Sequence, residues 1–241
     1  MKNVMPAFNF LEEGDKIPIG YQKINLHMIF DVKMDFKRKA RLVAGGHPTE
    51  TPTSLTYPSV VSRDSVRIAL LAAALNNLDV LACDIGNAYL NAQCREKWCV
   101  AGPEFGHRSG QKIIIVRALY GLKFSGAAWR AHLAETMNDL AYKPCKADPD
   151  VWMKPQTKPD GTKYYEYVLI YVDDVLAISH NPKIVMTSLQ HLYRLKEPPA
   201  EPTRYLGANL GKYEFQDDTK AWYQSSDEYL RKTQYELLTK N

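Results

Sequence analysis

Residues Tyr164–Ser179 read YYEYVLIYVDDVLAIS. Two apolar runs, Leu169–Val172 and Val175–Ser179, meet at Asp173-Asp174, so the chain has to reverse there and lay the runs side by side as an antiparallel hairpin. Neither run alternates apolar with polar. That is the pattern of a strand covered on both faces, so the hairpin is expected inside a sheet. Aspartate is a common turn former, which would suffice for a lone Asp-Asp pair. The chain supplies a comparison in Asp217-Asp218, at the turn of a second predicted hairpin (GKYEF to AWYQS, turning at residues 216–220), where polar flanks make the turn reading enough. At Asp173-Asp174 the arms are apolar, and ionised carboxylates beside buried strands need a partner.

Working outward, Val151–Lys154 is expected to pair with the Tyr164 strand, because Pro159-Asp160-Gly161 is a strong turn signal between them. A further apolar strand, Asp79–Ile85 (DVLACDI), carries Asp84 near its end and runs straight into Gly86 and the short helical stretch NAYLN. If that strand lies beside the Asp173 hairpin, three carboxylates converge, since neighbouring strands are about 4.8 Å apart. No lysine or arginine lies within these strands to offset them, and the cheapest compensation for clustered carboxylates is a divalent cation. From the residues alone, the turn reading and the metal reading both stay open.

Period-3.6 stripes predict three helices. The first spans about Arg63–Leu75, capped by Ser62 or Asp64, with Val66, Ala69, Leu70 and Ala73 on its buried face and Asn76-Asn77 at its exit. The second starts near Gly126, with Trp129, Leu133, Met137 and Leu140 buried. The third follows Pro182, with Val185, Leu189 and Leu192 in register. With a strand at Lys112–Arg117, the pattern is α+β, an antiparallel-rich sheet with helices packed on one side.

The chain has 241 residues, 45% hydrophobic and 24% charged, which suits a folded protein of one or two domains and argues against long-range disorder. No run reaches the roughly 18 to 20 apolar residues of a membrane helix, and the N-terminus carries no signal-peptide pattern, so neither membrane insertion nor secretion is expected. Cys83, Cys94, Cys99 and Cys145 form no C-x-x-C pair and read as reduced thiols. The net charge of +4 is concentrated in residues 33–41, KMDFKRKAR, which is either a solvated face or a phosphate contact.

Tyr171-Val172-Asp173-Asp174 resembles the Tyr-x-Asp-Asp box of reverse transcriptases, and CDIGNAYLNA (83–92) resembles their first catalytic strand. RKARLVAGGH (38–47), YPSVVSRDSVRIALLAAALN (57–76), VRALYGLK (116–123), KADPDVW (146–152) and RYLGANLGKYE (204–214) narrow the resemblance to the copia-type (Ty1/copia) retrotransposon group. These blocks keep the family's order over nearly the whole chain.

The resemblance implies a right-hand polymerase fold with fingers (1–60 and 94–123) and palm (61–93 and 124–215), then a palm hairpin and a truncated start of the thumb or connection (216–241, with a helix expected over Asp227–Leu238). It implies RNA-directed DNA polymerase activity. Asp84, Asp173 and Asp174, with the backbone carbonyl of Ile85, would bind two magnesium ions, with manganese able to substitute. Lys39 and Arg41 match the fingers motif that contacts the triphosphate, Gly86 lies at the nucleotide, and Tyr89 matches the aromatic gate selecting deoxynucleotides. Tyr171, Val172, Lys123, Tyr205, Leu206 and Gly207 match primer and template contacts. Phe124 and Gly45 depart from the group's pattern, standing where a polar residue and a lysine are common. The implied partners are an RNA or DNA template with primer, deoxynucleoside triphosphates, and the remaining pol polyprotein (RNase H, integrase). The implied location is the cytoplasm, in a virus-like particle, or the nucleus. The competing expectation is a catalytically silent, truncated or domesticated nucleic-acid-binding relic.

Overall fold

The computed structural model describes residues 5–32, 36–45, 59–227 and 230–231. In chain order the strands are β1 (Phe8–Phe10), β2 (Gln22–Lys23), β3 (Leu26–Val32), β4 (Arg38–Ala44), β5 (Asp79–Asp84), β6 (Gln93–Val100), β7 (Lys112–Arg117), β8 (Lys143–Pro144), β9 (Val151–Thr157), β10 (Lys163–Tyr171), β11 (Asp174–Ser179), β12 (Arg204–Tyr205), β13 (Ala208–Glu214) and β14 (Lys220–Ser225). The helices are α1 (Arg63–Leu75), α2 (Ser125–Asp139) and α3 (Lys183–Leu192). The mixture is α+β.

The chain divides into two compact units. One comprises Met1–Pro58 and Asn87–Thr136, the other Ser59–Gly86 and Met137–Asn241. Residues 87–93 and 124–136, grouped above with the second segment set, fall in the first unit. Of the helix expected over Asp227–Leu238, only Asp227, Leu230 and Arg231 are described, and they are helical; Lys33 and Asp35 of the basic cluster lie outside the described residues.

In the first unit, a four-stranded sheet runs in the order β1-β7-β6-β2, and β3 pairs with β4 as a separate antiparallel hairpin. Ile113, Ile115, Cys99, Leu119, Phe8 and Phe105 are buried in one cluster, which also takes in Leu42 and Ala44 of β4. The backbone fixes β4 further, because Ala44 N–H donates to Tyr120 O at 2.8 Å. Gly121, at φ +92°, follows directly; any Cβ there would collide with the Ala44 carbonyl.

In the second unit, a five-stranded sheet runs β5-β11-β10-β9-β8, with β5, β11, β10 and β9 paired antiparallel. The Asp84 strand thus lies beside the Asp173 hairpin, the condition on which convergence of the three carboxylates depended. β11 is buried along Val175–Ser179, as its unbroken apolar run requires. On one face Val80, Leu169, Leu176 and Ile178 pack with the α1 stripe Val66, Ala69, Leu70 and Ala73, together with Tyr205 and Leu210. The other face is covered too, since Val168, Val175 and Ala177 are fully buried. Burying these side chains contributes about 25 cal/mol per Å² of apolar area, the main favourable term for the sheet.

Two expected core positions are corrected. Leu140 lies one residue past α2 and is only half-buried, and Leu192, the last residue of α3, is 58% exposed. In α3 the buried positions are Val185, Met186 and Leu189, with Tyr193 just past the helix taking the place given to Leu192. All four cysteines are free thiols.

The start of α1 is held from a distant loop. Ser62 caps it, its Oγ accepting from Ser65 N–H at 3.0 Å. Asp148 Oδ2 accepts from Ser62 N–H at 2.9 Å and from the Ser65 hydroxyl at 2.6 Å, while its Oδ1 accepts from Asp150 N–H at 3.1 Å. Partial burial pushes the Asp148 carboxyl up, but these hydrogen bonds outweigh it and hold the group below the usual carboxylate range. A carboxyl depressed in the folded state contributes stability above its unfolded value of about 3.9, and that stability is lost as pH falls through the lower folded value. Asp148→Asn is thus expected to cost about 1 kcal/mol at neutral pH, a figure already discounted for solvent exposure. In urea melts the gap from wild type should close on acidification below about pH 4; a gap constant with pH would count against the carboxylate's charge as the cause.

Candidate active site

Strand register builds the site. Tyr171 of β10 stands opposite Asp174 of β11, and Asp174 stands opposite Asp84 of β5, so the three share one row across the sheet. Side chains alternate along a strand, which puts this row on the same face as Leu169, Leu176 and Ala82, and next Tyr167, Ile178 and Val80. The apolar face packed on α1 therefore ends in two carboxylates. Asp173 joins them from the turn, where its carbonyl accepts from Ile85 N–H at 2.8 Å. Only Val172 and Asp173 are central to that turn, and Asp174 is already strand. Val172 takes φ +57°, a left-handed conformation that costs a β-branched residue on the order of 1–3 kcal/mol.

The sequence offered no cation for these acids, but the fold does. Arg194–Lys196 runs along Asp84–Gly86: Gly86 N–H donates to Arg194 O at 2.8 Å, Lys196 N–H donates to Asp84 O at 2.9 Å, and Ile85 bridges Leu195. Gly86 permits the approach, since a Cβ there would stand 3.1 Å from Arg194 O. The Lys196 ammonium then donates to Asp84 Oδ2 at 2.5 Å and to Asp173 Oδ2 at 3.1 Å. Lys196 is not legible from the strands themselves, because it reaches the acids from a segment outside them. It sits 22 residues past Asp174 in the segment RLKEPP, where the Pro198-Pro199 pair, which favours extended chain, was the only local signal.

Burial, then repulsion from Asp173 and Asp84, pushes the Asp174 carboxyl up to about 6. Burial also raises Asp84, outweighing the Lys196 contact. Burial opposes the charge on Lys196, but its hydrogen bonds to Asp84 and Asp173 and their charges prevail and raise its pKa. Cys83, buried beside Asp84 and Asp174, is pushed up to about 12 and is no nucleophile here.

One oxygen is left over: Asp84 Oδ1 is buried without a hydrogen-bond partner. A buried acceptor in that state costs about 1–3 kcal/mol, and hard carboxylate oxygens of this kind suit a divalent cation of the magnesium class. Among the described residues no group of three or more His, Cys, Asp or Glu side chains is arranged to hold a metal ion, and Lys196 is the cation that bridges Asp84 and Asp173. The donor chemistry fits a metal, with the side chains closed on Lys196.

A sequence model of the family described as reverse transcriptase (RNA-dependent DNA polymerase) matches residues 12–214. The chain belongs to that family. Within it the chain falls in the Ty1/copia group. It is 26% identical over 180 residues to the retrovirus-related Pol polyprotein from transposon TNT 1-94 of Nicotiana tabacum, covering 70% of this chain and 13% of that protein. It is 29% identical over 179 residues to the truncated transposon Ty1-A Gag-Pol polyprotein of Saccharomyces cerevisiae (72% of this chain, 14% of the relative). It is 30% identical over 179 residues to the Ty1-LR2 Gag-Pol polyprotein of the same yeast (72% and 10%). The chain thus spans at most 14% of these relatives' length.

The remaining sequence-predicted residues of this reverse transcriptase domain fall into two sets. In the first unit, Lys39 and Arg41 lie two apart on β4 and share a strand face. Arg41 makes a long, exposed ion pair to Asp31 at 4.0 Å, of a kind that contributes at most about 1 kcal/mol. Tyr89 sits on the 3-10 turn Ala88–Asn91, its ring centroid 4.7 Å from that of Tyr120. Lys123 follows the same Tyr120-Gly121 corner and is half-buried. In the second unit, Tyr171 is exposed at the rim and Val172 is half-buried in the turn. Leu206 (φ +49°) and Gly207 (φ +80°) form the β12–β13 turn.

Tyr205, matched in the sequence to a primer contact, lies inside the fold. It is 4% exposed and packed in the α1 cluster, and its hydroxyl is buried without a partner. Burial and the nearby Asp174 charge drive its pKa upward, so it stays a neutral phenol. Removing an unsatisfied buried hydroxyl relieves a desolvation penalty. Tyr205→Phe is expected to stabilise the fold by about 1 kcal/mol in urea melts; a loss of that size would mean the hydroxyl has a partner in solution.

No helix among the described residues is long and apolar enough to cross a membrane.

Proposed function

We propose that this chain is the polymerase segment of a copia-type retrotransposon, adding deoxynucleotides to a primer 3′-hydroxyl on an RNA or DNA template. The observation that carries the reading is the row Asp84–Asp174, with Asp173 in the adjoining turn, inside a chain that belongs to the reverse transcriptase family. The unit containing β5, β10 and β11 takes the role of palm, and the unit containing β3 and β4 that of fingers.

Asp84, Asp173 and Asp174, with the carbonyl of Ile85, are the groups that would hold magnesium or manganese. Such a cation, when bound, lowers the pKa of the attacking hydroxyl and offsets charge on the triphosphate. The chain's own residues supply position. Buried strands hold the carboxylates, and the Ile85–Asp173 hydrogen bond ties the turn to β5. Lys39 and Arg41, half-buried and two apart on one face of β4, offer their cations to the triphosphate. The Tyr89 ring, braced by Tyr120, closes off the space a ribose 2′-hydroxyl would need. Tyr171, Val172 and the Leu206-Gly207 turn line the primer end, and Lys123 serves the template. The rest of a pol polyprotein, including RNase H and integrase, would work with this segment in a virus-like particle.

Primer extension on an RNA template with magnesium and four deoxynucleotides tests the reading. Asp173→Asn and Asp174→Asn should each reduce extension by at least about a thousandfold, whereas extension at the wild-type rate in either would refute the site. A folded wild-type chain that binds hybrid duplex yet incorporates nothing with magnesium or manganese would leave the silent-relic reading standing instead. Tyr89→Ala should admit ribonucleotides, raising their incorporation relative to deoxynucleotides by about tenfold or more.

A further inference from the structure

The Lys196 side chain has no part in the function argued so far, yet it makes the closest polar contact in the site. Its ammonium lies 2.5 Å from Asp84 Oδ2 and 3.1 Å from Asp173 Oδ2. Its backbone is pinned, because its N–H donates to Asp84 O and the neighbouring Arg194 carbonyl accepts from Gly86 N–H. Its side chain is held only through the ammonium: it is 48% exposed, and a four-carbon stem can carry the ammonium into water while the backbone stays put.

We propose that Lys196 is the built-in counter-ion of this site. It holds Asp84 and Asp173 together in the metal-free protein, and a divalent cation has to displace it from the same two oxygens, so Lys196 sets the metal affinity. The inference rests on reading Asp84, Asp173 and Asp174 as metal ligands. Two considerations carry it. Carboxylates this close repel each other, and one ammonium between two of them offsets that repulsion without any bound ion. A divalent cation and an ammonium on the same oxygens repel in turn, strongly where solvent screening is partial. Lys196 is thus a positioning residue in the metal-free state and a competitor in the loaded one.

Manganese is the probe, with the full chain prepared metal-free and free Mn²⁺ followed by electron paramagnetic resonance. Lys196→Met should bind Mn²⁺ about tenfold more tightly than wild type while its metal-free form melts at a lower temperature. Lys196→Arg, which keeps the charge, should bind no more tightly than wild type. A merely structural lysine would give the opposite sign, with loosened binding. Equal or weaker Mn²⁺ binding by Lys196→Met overturns the proposal. If that equal binding is abolished by Asp84→Asn, the metal-ligand reading survives alone; if neither protein binds Mn²⁺, both fall. Should Lys196→Met fail to fold, the wild-type chain suffices: acetylation of the Lys196 amine, read by mass spectrometry, should speed up severalfold when Mn²⁺ saturates the site. An unchanged rate overturns the proposal.

Discussion

The pairing of β5 with β11 is the constraint on which the site depends. It places Val80 opposite Ile178, Ala82 opposite Leu176 and Asp84 opposite Asp174. A slip of one residue would turn every one of these side chains to the other face, exposing the apolar rows that pack on α1 and separating the carboxylates. The register is thus enforced by hydrophobic burial several residues from the acids. The cost of gathering two carboxylates falls on one corner, and the packing that offsets it lies along the rest of the strands.

How far the sequence could be read follows from the same physics. The hairpin, the burial of β11 and the α1 stripe were legible because each is a local pattern: an unbroken apolar run, a two-residue gap, a 3.6-residue period. The β5–β11 adjacency was only a condition in the sequence, since β5 ends its sheet and is bordered outside by single bridges to Leu195 and Ala200 rather than by a further strand. Lys196 was not legible in this way, because it reaches Asp84 through a backbone bridge between segments 110 residues apart in the chain. The burial of Tyr205 was not legible for a related reason. A Tyr-Leu-Gly stretch says that a turn is near, but only the packing of β12 against the α1 cluster says which side of that turn is buried. The β3–β4 hairpin was not expected either, although Leu26, Met28, Phe30 and Val32 alternate along β3, because most of that strand is exposed and its alternation marks no buried face.

The two units divide the chemistry by sign. The second gathers carboxylates at the end of an apolar face. The first carries Lys39 and Arg41 on a strand whose next residues, Leu42 and Ala44, are buried. In that unit Tyr120 and Gly121 do two jobs at adjacent positions: the Tyr120 ring lies against Tyr89, its carbonyl receives the Ala44 N–H, and Gly121 lets the β4 backbone come close. The block VRALYGLK therefore ties the basic strand to the aromatic residue within one packed body. That explains physically why the two blocks belong together, without appeal to the resemblance.

Asp173-Asp174 and Asp217-Asp218 show what distinguishes the proposed metal corner from an ordinary turn. At Asp217 the carboxylate accepts from Thr219 N–H at 3.1 Å and from the Thr219 hydroxyl at 2.5 Å, in full solvent, and the pair is satisfied by the turn it makes. At Asp173-Asp174 the same dipeptide follows a valine held at positive φ, adjoins a buried oxygen with no partner, and lifts a carboxyl to about 6. Each of these works against folding, and a hairpin selected for stability alone would have a residue such as asparagine or glycine in place of Val172. Local features that oppose the fold persist where the surrounding structure over-determines them, as β10 and β11 do here, and they concentrate at sites whose chemistry requires them. The positive-φ valine and the unpartnered carboxylate oxygen at one end of the sheet thus support the proposed site more strongly than the Asp-Asp dipeptide itself.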